Sequence, residues 1–394
     1  MSTRALYLHI PFCKRKCSYC DFTSFATMRG DLLMDAYALA LEEQLREAGE
    51  TGLLEGVETA YMGGGTPTHA GAASVRLAGI VATMCKPREF TVEANPESAT
   101  LNLLSKFKDA GVTRLSLGVQ SLDYGELVAL GRIHDAHCAV DALKCAAELG
   151  FSVSADLMCA IPLQTTRSWE ETLGGVVSAG VSHVSVYPLM IEEGTPFYRA
   201  VEAGEMDIPD DSCEADRMVE AEAFLTARGF ERYEVASYAK PGCACSHNRA
   251  YWNGSSYLGL GTGAASMFNY EDFDVVFRAF PQLDVPCEDI ARIRMTCTTD
   301  RRALAAHPAL SDQDLEVEHL TLREALAEDL MLGARMSCGL SQDLVCRSRE
   351  VMGTALDDTL ASLIADGFLT GDLVPTQKGW LLGNELYGRL WALA

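Results

Sequence analysis

Over the first two-thirds of the chain, six short apolar runs alternate with amphipathic stretches, and no other feature limits the fold as strongly. The runs cover Ala5–Ile10, 57–62, 89–93, 114–119, 152–158 and 183–189. Between them, 31–48 carries Leu33, Tyr37, Leu41 and Leu45 at helical spacing before Gly49, a glycine suited to a C-terminal cap. The stretch 135–149 repeats the pattern through Ala139, Leu143 and Ala146 and ends at Gly150. Strands that alternate with helices and read as near-continuous apolar runs imply a parallel sheet with helices packed outside it. Six such units make an open sheet or an incomplete barrel, and in both the working residues belong at the C-terminal ends of the strands. The sequence fits that rule. The first run enters Pro11-Phe12-Cys13, the second Gly63-Gly64-Gly65-Thr66-Pro67-Thr68, the third Glu93-Ala94-Asn95-Pro96-Glu97 and the fourth Gln120-Ser121, while the fifth carries Asp156.

Composition excludes several function classes. The 394 residues are 48% hydrophobic and 22% charged, an ordinary globular balance. With 32 Lys and Arg against 55 Asp and Glu the net charge is −23, which repels nucleic-acid phosphates and anionic lipid heads. The apolar run Ala5–Ile10 is too short for a signal-peptide core. The long charge-free stretch 172–191 is broken by His183, Pro188 and several Gly, so a cytoplasmic protein with no integral membrane segment is expected. Past residue 265 the rhythm changes. Residues 268–290 have weak periodicity, helices are expected over 321–336, 354–366 and 379–393, and 368–376 reads as a short hairpin. This gives a core over 1–265, a connecting segment over 266–320 and a winged-helix-like α+β module over 321–394. That module has six Lys and Arg against ten Asp and Glu, so a DNA-reading role is set aside and no nucleic-acid partner is expected.

Fourteen cysteines are many. Cys85, Cys138, Cys145, Cys159, Cys213, Cys287, Cys297, Cys338 and Cys346 are scattered, and several fall in apolar patterns as small buried hydrophobes. Two groups cluster. Cys243 and Cys245, followed by His247, lack the CxxCH spacing of covalent heme attachment. Cys13, Cys17 and Cys20 form CxxxCxxC directly after the first strand. Zinc normally completes four ligands from two clusters, whereas three thiolates on one loop suit a cubane iron–sulfur cluster with one iron left open.

Here the chain resembles the radical S-adenosylmethionine (SAM) superfamily. Within it, YLHIPFC (7–13), GGGTPT (63–68), EANPE (93–97), LGVQS (117–121), LGRIH (130–134) and GTPF (194–197) are similar to the oxygen-independent coproporphyrinogen III oxidase group. HNRAYW (247–252) and YLGLG (257–261) resemble its heme-chaperone branch, and the likeness extends into the C-terminal module through LGAR (332–335) and Asn384-Glu385. The oxidase branch has a fourth Cys two residues after the third, where this chain has Phe22, so the resemblance favours heme carriage over coproporphyrinogen III oxidation.

The resemblance implies a partial (β/α)6 barrel and a [4Fe–4S] cluster on Cys13, Cys17 and Cys20. Its open iron binds SAM, which is then cleaved to a deoxyadenosyl radical. It further implies SAM contacts from Tyr7, Tyr19, Gly64, Gly65, Thr66, Glu93, Gln120, Arg132 and Asp156, and heme bound by His247 with Asn248, Tyr251 and Trp252. A heme-acceptor protein is the implied partner. Lys14, Arg15 and Lys16 offer a basic spot to a small electron donor such as flavodoxin or ferredoxin. The competing reading is a porphyrinogen-modifying radical enzyme.

Overall fold

The computed structural model describes residues 5–284 and 289–394, so Cys287 lies outside the described residues. Among the described residues, one sheet of twelve strands runs through the protein. Its centre is six consecutive parallel strands: β1 (Ala5–Ile10), β2 (Thr59–Gly64), β3 (Glu89–Ala94), β4 (Arg114–Gln120), β5 (Ser152–Cys159) and β6 (His183–Pro188). They form the partial (β/α)6 barrel, with no closure by strand pairing.

The strands are not apolar on both faces. Leu6, Leu8, Ala60, Met62, Phe90, Val92, Leu115, Leu117, Val153, Ala155, Val184 and Val186 point outward into the hydrophobic core beneath the helices. The alternate set, including Tyr7, His9, Glu93, Arg114, Ser116, Ser154, Asp156, His183 and Ser185, lines the lumen. The outward positions are what make the sequence look continuously apolar, because Gly, Ser and Thr interrupt the inward ones only lightly. The first helix, Leu32–Thr51, starts at Asp31, whose carboxylate accepts from the Leu33 amide. It runs through Gly49 and ends at Gly52, which takes the left-handed conformation at φ 91°, so Gly52 and not Gly49 is the cap.

The stretch 266–320 does more than connect. Tyr257–Leu260 pairs parallel to β1, and Ala265–Asn269, Ile290–Cys297 and Leu315–Thr321 follow it as antiparallel strands that widen the sheet on that side. Beyond β6 the sheet continues through Ser237–Ala239 and Glu231–Arg232. The C-terminal module has its own core around Leu326, Leu330, Leu344, Leu356, Leu363, Phe368, Leu386 and Leu390. It contains a helix the sequence reading lacks, Gln342–Met352. The expected last helix is broken into Gln377–Leu381 and Gly383–Trp391, and the hairpin reduces to one bridge between Leu369 and Pro375.

Helix Leu322–Gly333 and the turn after it reach both flanks of the sheet. On one flank Arg292 donates to Glu328 at 2.6 Å and to Asp329 at 2.7 Å, and Arg294 donates to Glu328 at 2.7 Å. On the other, Met336 bridges Glu234, and the Ser337 amide donates to the Tyr233 carbonyl at 3.1 Å. Side-chain ion pairs on one flank and isolated backbone contacts on the other, not a strand ladder, close the barrel at this seam.

Candidate functional site

The lumen is one cavity of about 1130 Å³. It is lined by Cys13, Cys17 and Cys20, by all nine residues the resemblance assigns to SAM, and by Asn248, Tyr251 and Trp252. His247 is not among its lining residues.

At the C-terminal ends of the strands, the loop after β1 is pinned from both sides. His9 donates from Nε2 to the Thr23 carbonyl at 2.7 Å and accepts at Nδ1 from the Tyr7 hydroxyl at 3.0 Å. Phe12–Cys13 pairs with Phe25–Ala26, which folds the cysteine loop back on its root. Each cysteine sulfur has a polar partner. The Thr66 hydroxyl donates to Cys13 Sγ at 3.4 Å, Arg132 Nη1 donates to Cys17 Sγ at 3.3 Å, and Ser24 Oγ lies 3.8 Å from Cys20 Sγ. Among the described residues no three His, Cys, Asp or Glu side chains converge on one metal ion. Three separate thiols, each with its own donor, are chemically suited to hold three irons of one cluster.

The Gly-rich turn after β2 has local reasons for its glycines. A Cβ on Gly64, at φ 102°, would stand 2.4 Å from the His9 ring, and one on Gly65 would stand 2.7 Å from the Phe12 amide nitrogen. Gly64 also donates its amide to Glu93 Oε2 at 3.1 Å, and Tyr61 donates to Glu93 Oε1 at 2.7 Å. Burial nonetheless pushes the Glu93 carboxyl up to about 7, with the nearby Asp156 charge adding to it. Asp156 accepts from Ser116 at 2.8 Å, and burial pushes it up to about 6 against that hydrogen bonding. Arg132 donates through Nη2 to Asn95 Oδ1 at 2.7 Å and to the Gly118 carbonyl at 2.6 Å. Gln120 ends β4 in the left-handed region at φ 67°, with its side chain in the lumen. Tyr19, on the cysteine loop, packs against the cluster of Leu130, Met158 and Ile161. Burial holds the Tyr7 and Tyr19 phenols protonated. Two carboxylates on β3 and β5, a guanidinium beside the cysteine loop and two flanking phenols are donors and acceptors suited to an amino acid joined to a nucleoside.

The sequence reading missed His9, Asn95 and Tyr61, which hold the loop, Thr66 and Glu93 respectively. Asn95 sits inside the quoted EANPE run, between Thr66, to which it donates at 2.9 Å, and Arg132. All three were visible as polar or aromatic residues at inward or terminal strand positions.

The HNRAYW segment lies at the opposite end of the barrel. It forms the short helix Ser246–Trp252 beneath the N-terminal ends of the strands. Arg114 donates to Glu89 at 3.1 Å and to the Cys243 carbonyl at 2.8 Å, and Glu89 accepts from the His247 amide at 3.1 Å. His247 is 1% exposed. Its Nδ1 is 3.0 Å from the Thr59 hydroxyl, its Nε2 is 3.1 Å from the Tyr251 hydroxyl, and its ring stacks on Tyr61 at 5.1 Å. Burial lowers its pKa to about 3, so it stays neutral. With both ring nitrogens hydrogen-bonded, and His247 absent from the lining, the ring presents no lone pair to the lumen in this structure. Asn248, Tyr251 and Trp252 do reach the lumen.

Lys14, Arg15 and Lys16 are exposed at the rim, with Lys16 donating to the Phe22 carbonyl at 2.9 Å. Phe22 itself is 67% exposed. Of the scattered cysteines, Cys159 and Cys297 are buried, whereas Cys338 and Cys346 are exposed and not core residues. No helix of the described residues is long and apolar enough to cross a membrane.

Residues 7–174 match the radical SAM superfamily. The chain is 31% identical over 399 residues to the heme chaperone HemW of Bacillus subtilis, covering 98% of each chain. It is 37% identical to the heme chaperone HemW of Escherichia coli over 276 residues, covering 68% of this chain and 71% of that one. With the mitochondrial radical S-adenosyl methionine domain-containing protein 1 of Bos taurus it shares 39% identity over 271 residues, covering 67% of this chain and 60% of the relative. Among solved structures, the coproporphyrinogen III oxidase HemN of E. coli, a radical SAM enzyme, superposes with a TM-score of 0.77. It covers 99% of this chain and 90% of that one at 22% identity, a likeness of fold.

Proposed function

This chain belongs to the HemW family of radical SAM proteins, and from that premise we propose that it is a cytoplasmic heme chaperone that carries heme in the lumen of its half-barrel and passes it to an acceptor protein. The observation that carries the reading is the shared cavity. The cysteine loop and the SAM-suited side chains occupy one end, and the same space continues past them along a wall of Tyr61, Tyr187, Tyr251, Tyr257, Trp252, Met267 and Met331. About 1130 Å³ lies just above the roughly 300–1,000 Å³ usual for one small ligand. That leaves room for a flat apolar macrocycle beside a nucleoside.

Cys13, Cys17 and Cys20 would hold a [4Fe–4S] cluster, which would supply an electron to SAM bound beside it. The chain's own residues orient and shield. Thr66, Arg132 and Ser24 stabilise the thiolates, Glu93 and Asp156 accept hydrogen bonds from sugar or amine, and Tyr7 and Tyr19 wall the nucleoside. Exposed Lys14 and Arg15 give an acidic electron donor such as flavodoxin or ferredoxin a place to approach. Phe22 stands where the oxidase group has its fourth thiol, which weighs against porphyrinogen oxidation as the main activity.

Anaerobic reconstitution with iron, sulfide and SAM, followed by heme titration under optical and EPR detection, tests the reading. Saturable heme binding is expected. No saturable binding, or conversion of coproporphyrinogen III at a rate comparable to a genuine oxidase, would overturn it.

A further inference from the structure

A thiolate sulfur only accepts hydrogen bonds, so the donors around the cysteine loop must be aimed at it. Thr66 Oγ1 lies 3.4 Å from Cys13 Sγ and has a single proton to give. Arg132 Nη1 lies 3.3 Å from Cys17 Sγ. One residue stands between these two donors. Asn95 Nδ2 donates to Thr66 Oγ1 at 2.9 Å, and Asn95 Oδ1 accepts from Arg132 Nη2 at 2.7 Å. The orientation of the amide follows from chemistry. A guanidinium has no acceptor, so only the carbonyl oxygen can face Arg132, and the amide nitrogen is left for Thr66. Thr66 therefore receives a proton from Asn95 and directs its own to Cys13. Arg132 has Nη2 held by Asn95 and by the Gly118 carbonyl at 2.6 Å, which leaves Nη1 turned to Cys17. Asn95 is itself fixed. Its backbone carbonyl accepts from the Ser98 amide at 3.0 Å, the Ser98 hydroxyl at 2.9 Å and the Ala99 amide at 3.2 Å. Pro96 favours the extended backbone that Asn95 adopts, at φ −97° and ψ 144°. Cys20 stands outside this arrangement, with Ser24 Oγ at 3.8 Å.

We propose that Asn95 is a positioning residue that aims hydrogen-bond donors at two of the three cysteine sulfurs and thereby raises the reduction potential of the cluster they hold. The proposal rests on the reading that Cys13, Cys17 and Cys20 carry a [4Fe–4S] cluster. A reduced cluster has one more negative charge, and hydrogen bonds to its sulfurs stabilise that charge. The hydrogen bonds of the Asn95 side chain go to Thr66 and Arg132 and not to a cysteine, so its effect passes through those two residues. A carboxylate of the same shape reverses one of the two bonds. In Asn95→Asp the side chain has no proton to give, so the Thr66 hydroxyl turns its proton to the carboxylate and Cys13 loses its donor. Arg132 keeps an acceptor in the same place, which holds the turn in position.

The test is a potentiometric titration of the reconstituted full-length protein without SAM, followed by EPR, on wild type, Asn95→Asp, Thr66→Val and the double variant. Asn95→Asp and Thr66→Val should each make reduction about tenfold less favourable, a fall of about 59 mV for one electron. The double variant separates the redirected hydroxyl from the added charge. In the Thr66→Val background no hydroxyl remains to be turned, so Asn95→Asp should lose most of its effect. Electron–nuclear double resonance after exchange into D2O should show one strongly coupled exchangeable proton fewer in Asn95→Asp and in Thr66→Val than in wild type. Equal shifts from Asn95→Asp in both backgrounds, or a wild-type potential and proton count in Thr66→Val, would overturn the proposal and leave the cluster reading standing. If Asn95→Asp does not assemble a cluster, Thr66→Val decides alone by the same criterion. Failure of wild type to take up about four irons would overturn the cluster reading and the proposal with it.

Discussion

The two ends of the half-barrel are built from the same six strands and are chemically opposite. At the C-terminal end, polar groups line the cavity while each keeps only one or two partners: three thiols, two buried carboxylates with raised pKa values, and a strand terminus in the left-handed region. At the N-terminal end, polar groups are paired with one another. Arg114 and Glu89 form an ion pair whose side chains are 5% and 13% exposed, and Glu89 also holds the Cys245 thiol and the His247 amide. His183 and His247 have both ring nitrogens engaged. The upper end is arranged to receive ligands, whereas the floor is arranged to stay shut. A histidine at the floor therefore reads as structure, however suggestive its motif.

The sharpest way to break this contrast is at the cysteine loop. Replacing Cys13, Cys17 and Cys20 together by Ala should take reconstituted iron from about four per chain to none, while the unfolding midpoint of the unreconstituted protein barely moves. Iron retained near four would end the assignment of the upper end.

The floor should respond the other way. Arg114→Ala leaves Glu89 buried without its partner and frees the Cys243 carbonyl. It should cost about 3–5 kcal/mol in urea unfolding. A loss below about 1 kcal/mol would mean that the floor is not the stabilising end.

The two ends should also titrate in opposite senses. Glu93 has a folded value of about 7, above the ordinary 4.5, so its ionisation costs stability as pH rises through that range. Relative to wild type, Glu93→Gln should gain up to roughly 3 kcal/mol between pH 4.5 and pH 8, read from unfolding curves at the two values. A flat difference would remove Glu93 as a strained upper-end group.

The smallest effect belongs to His247. Its folded value of about 3 lies below the ordinary 6.5, so the unfolded chain takes up the proton first and stability is lost as pH falls from 6.5 towards 3. His247→Ala should cost about 1–3 kcal/mol at neutral pH, because Thr59 and Tyr251 lose their partner. That deficit should shrink in acid, with the heme absorption spectrum unaltered. A changed spectrum would restore His247 as a ligand.

The six strands and the cysteine loop were legible because their signals are local: apolar runs of strand length, glycine at the turns and a fixed cysteine spacing. The position of HNRAYW was not. Its place beneath β2 and β3 depends on pairings with Thr59 and Glu89, 188 and 158 residues away, which no local pattern encodes. The strands of 266–320 were missed for a related reason. Ile290–Cys297 carries Arg292 and Arg294 on one face, which reads as a solvated segment until Glu328 and Asp329 arrive from a later helix to neutralise them. Gly49 misled because a glycine inside a helix looks like its end, and only the left-handed geometry of Gly52 distinguishes the two.

The seam closed by helix Leu322–Gly333 has a consequence for how selectivity is encoded. A barrel closed by backbone pairing has its girth set by strand number and stagger, which no single substitution alters. Here part of the wall is Glu328, Met331 and Leu332, side chains projected from one helix onto the lumen. The bore of the chamber is thus written in the side-chain volumes of a single helical face. Substitutions at Met331 or Leu332 therefore change the breadth of the chamber while leaving the cysteine loop and the hydrogen-bonded floor untouched.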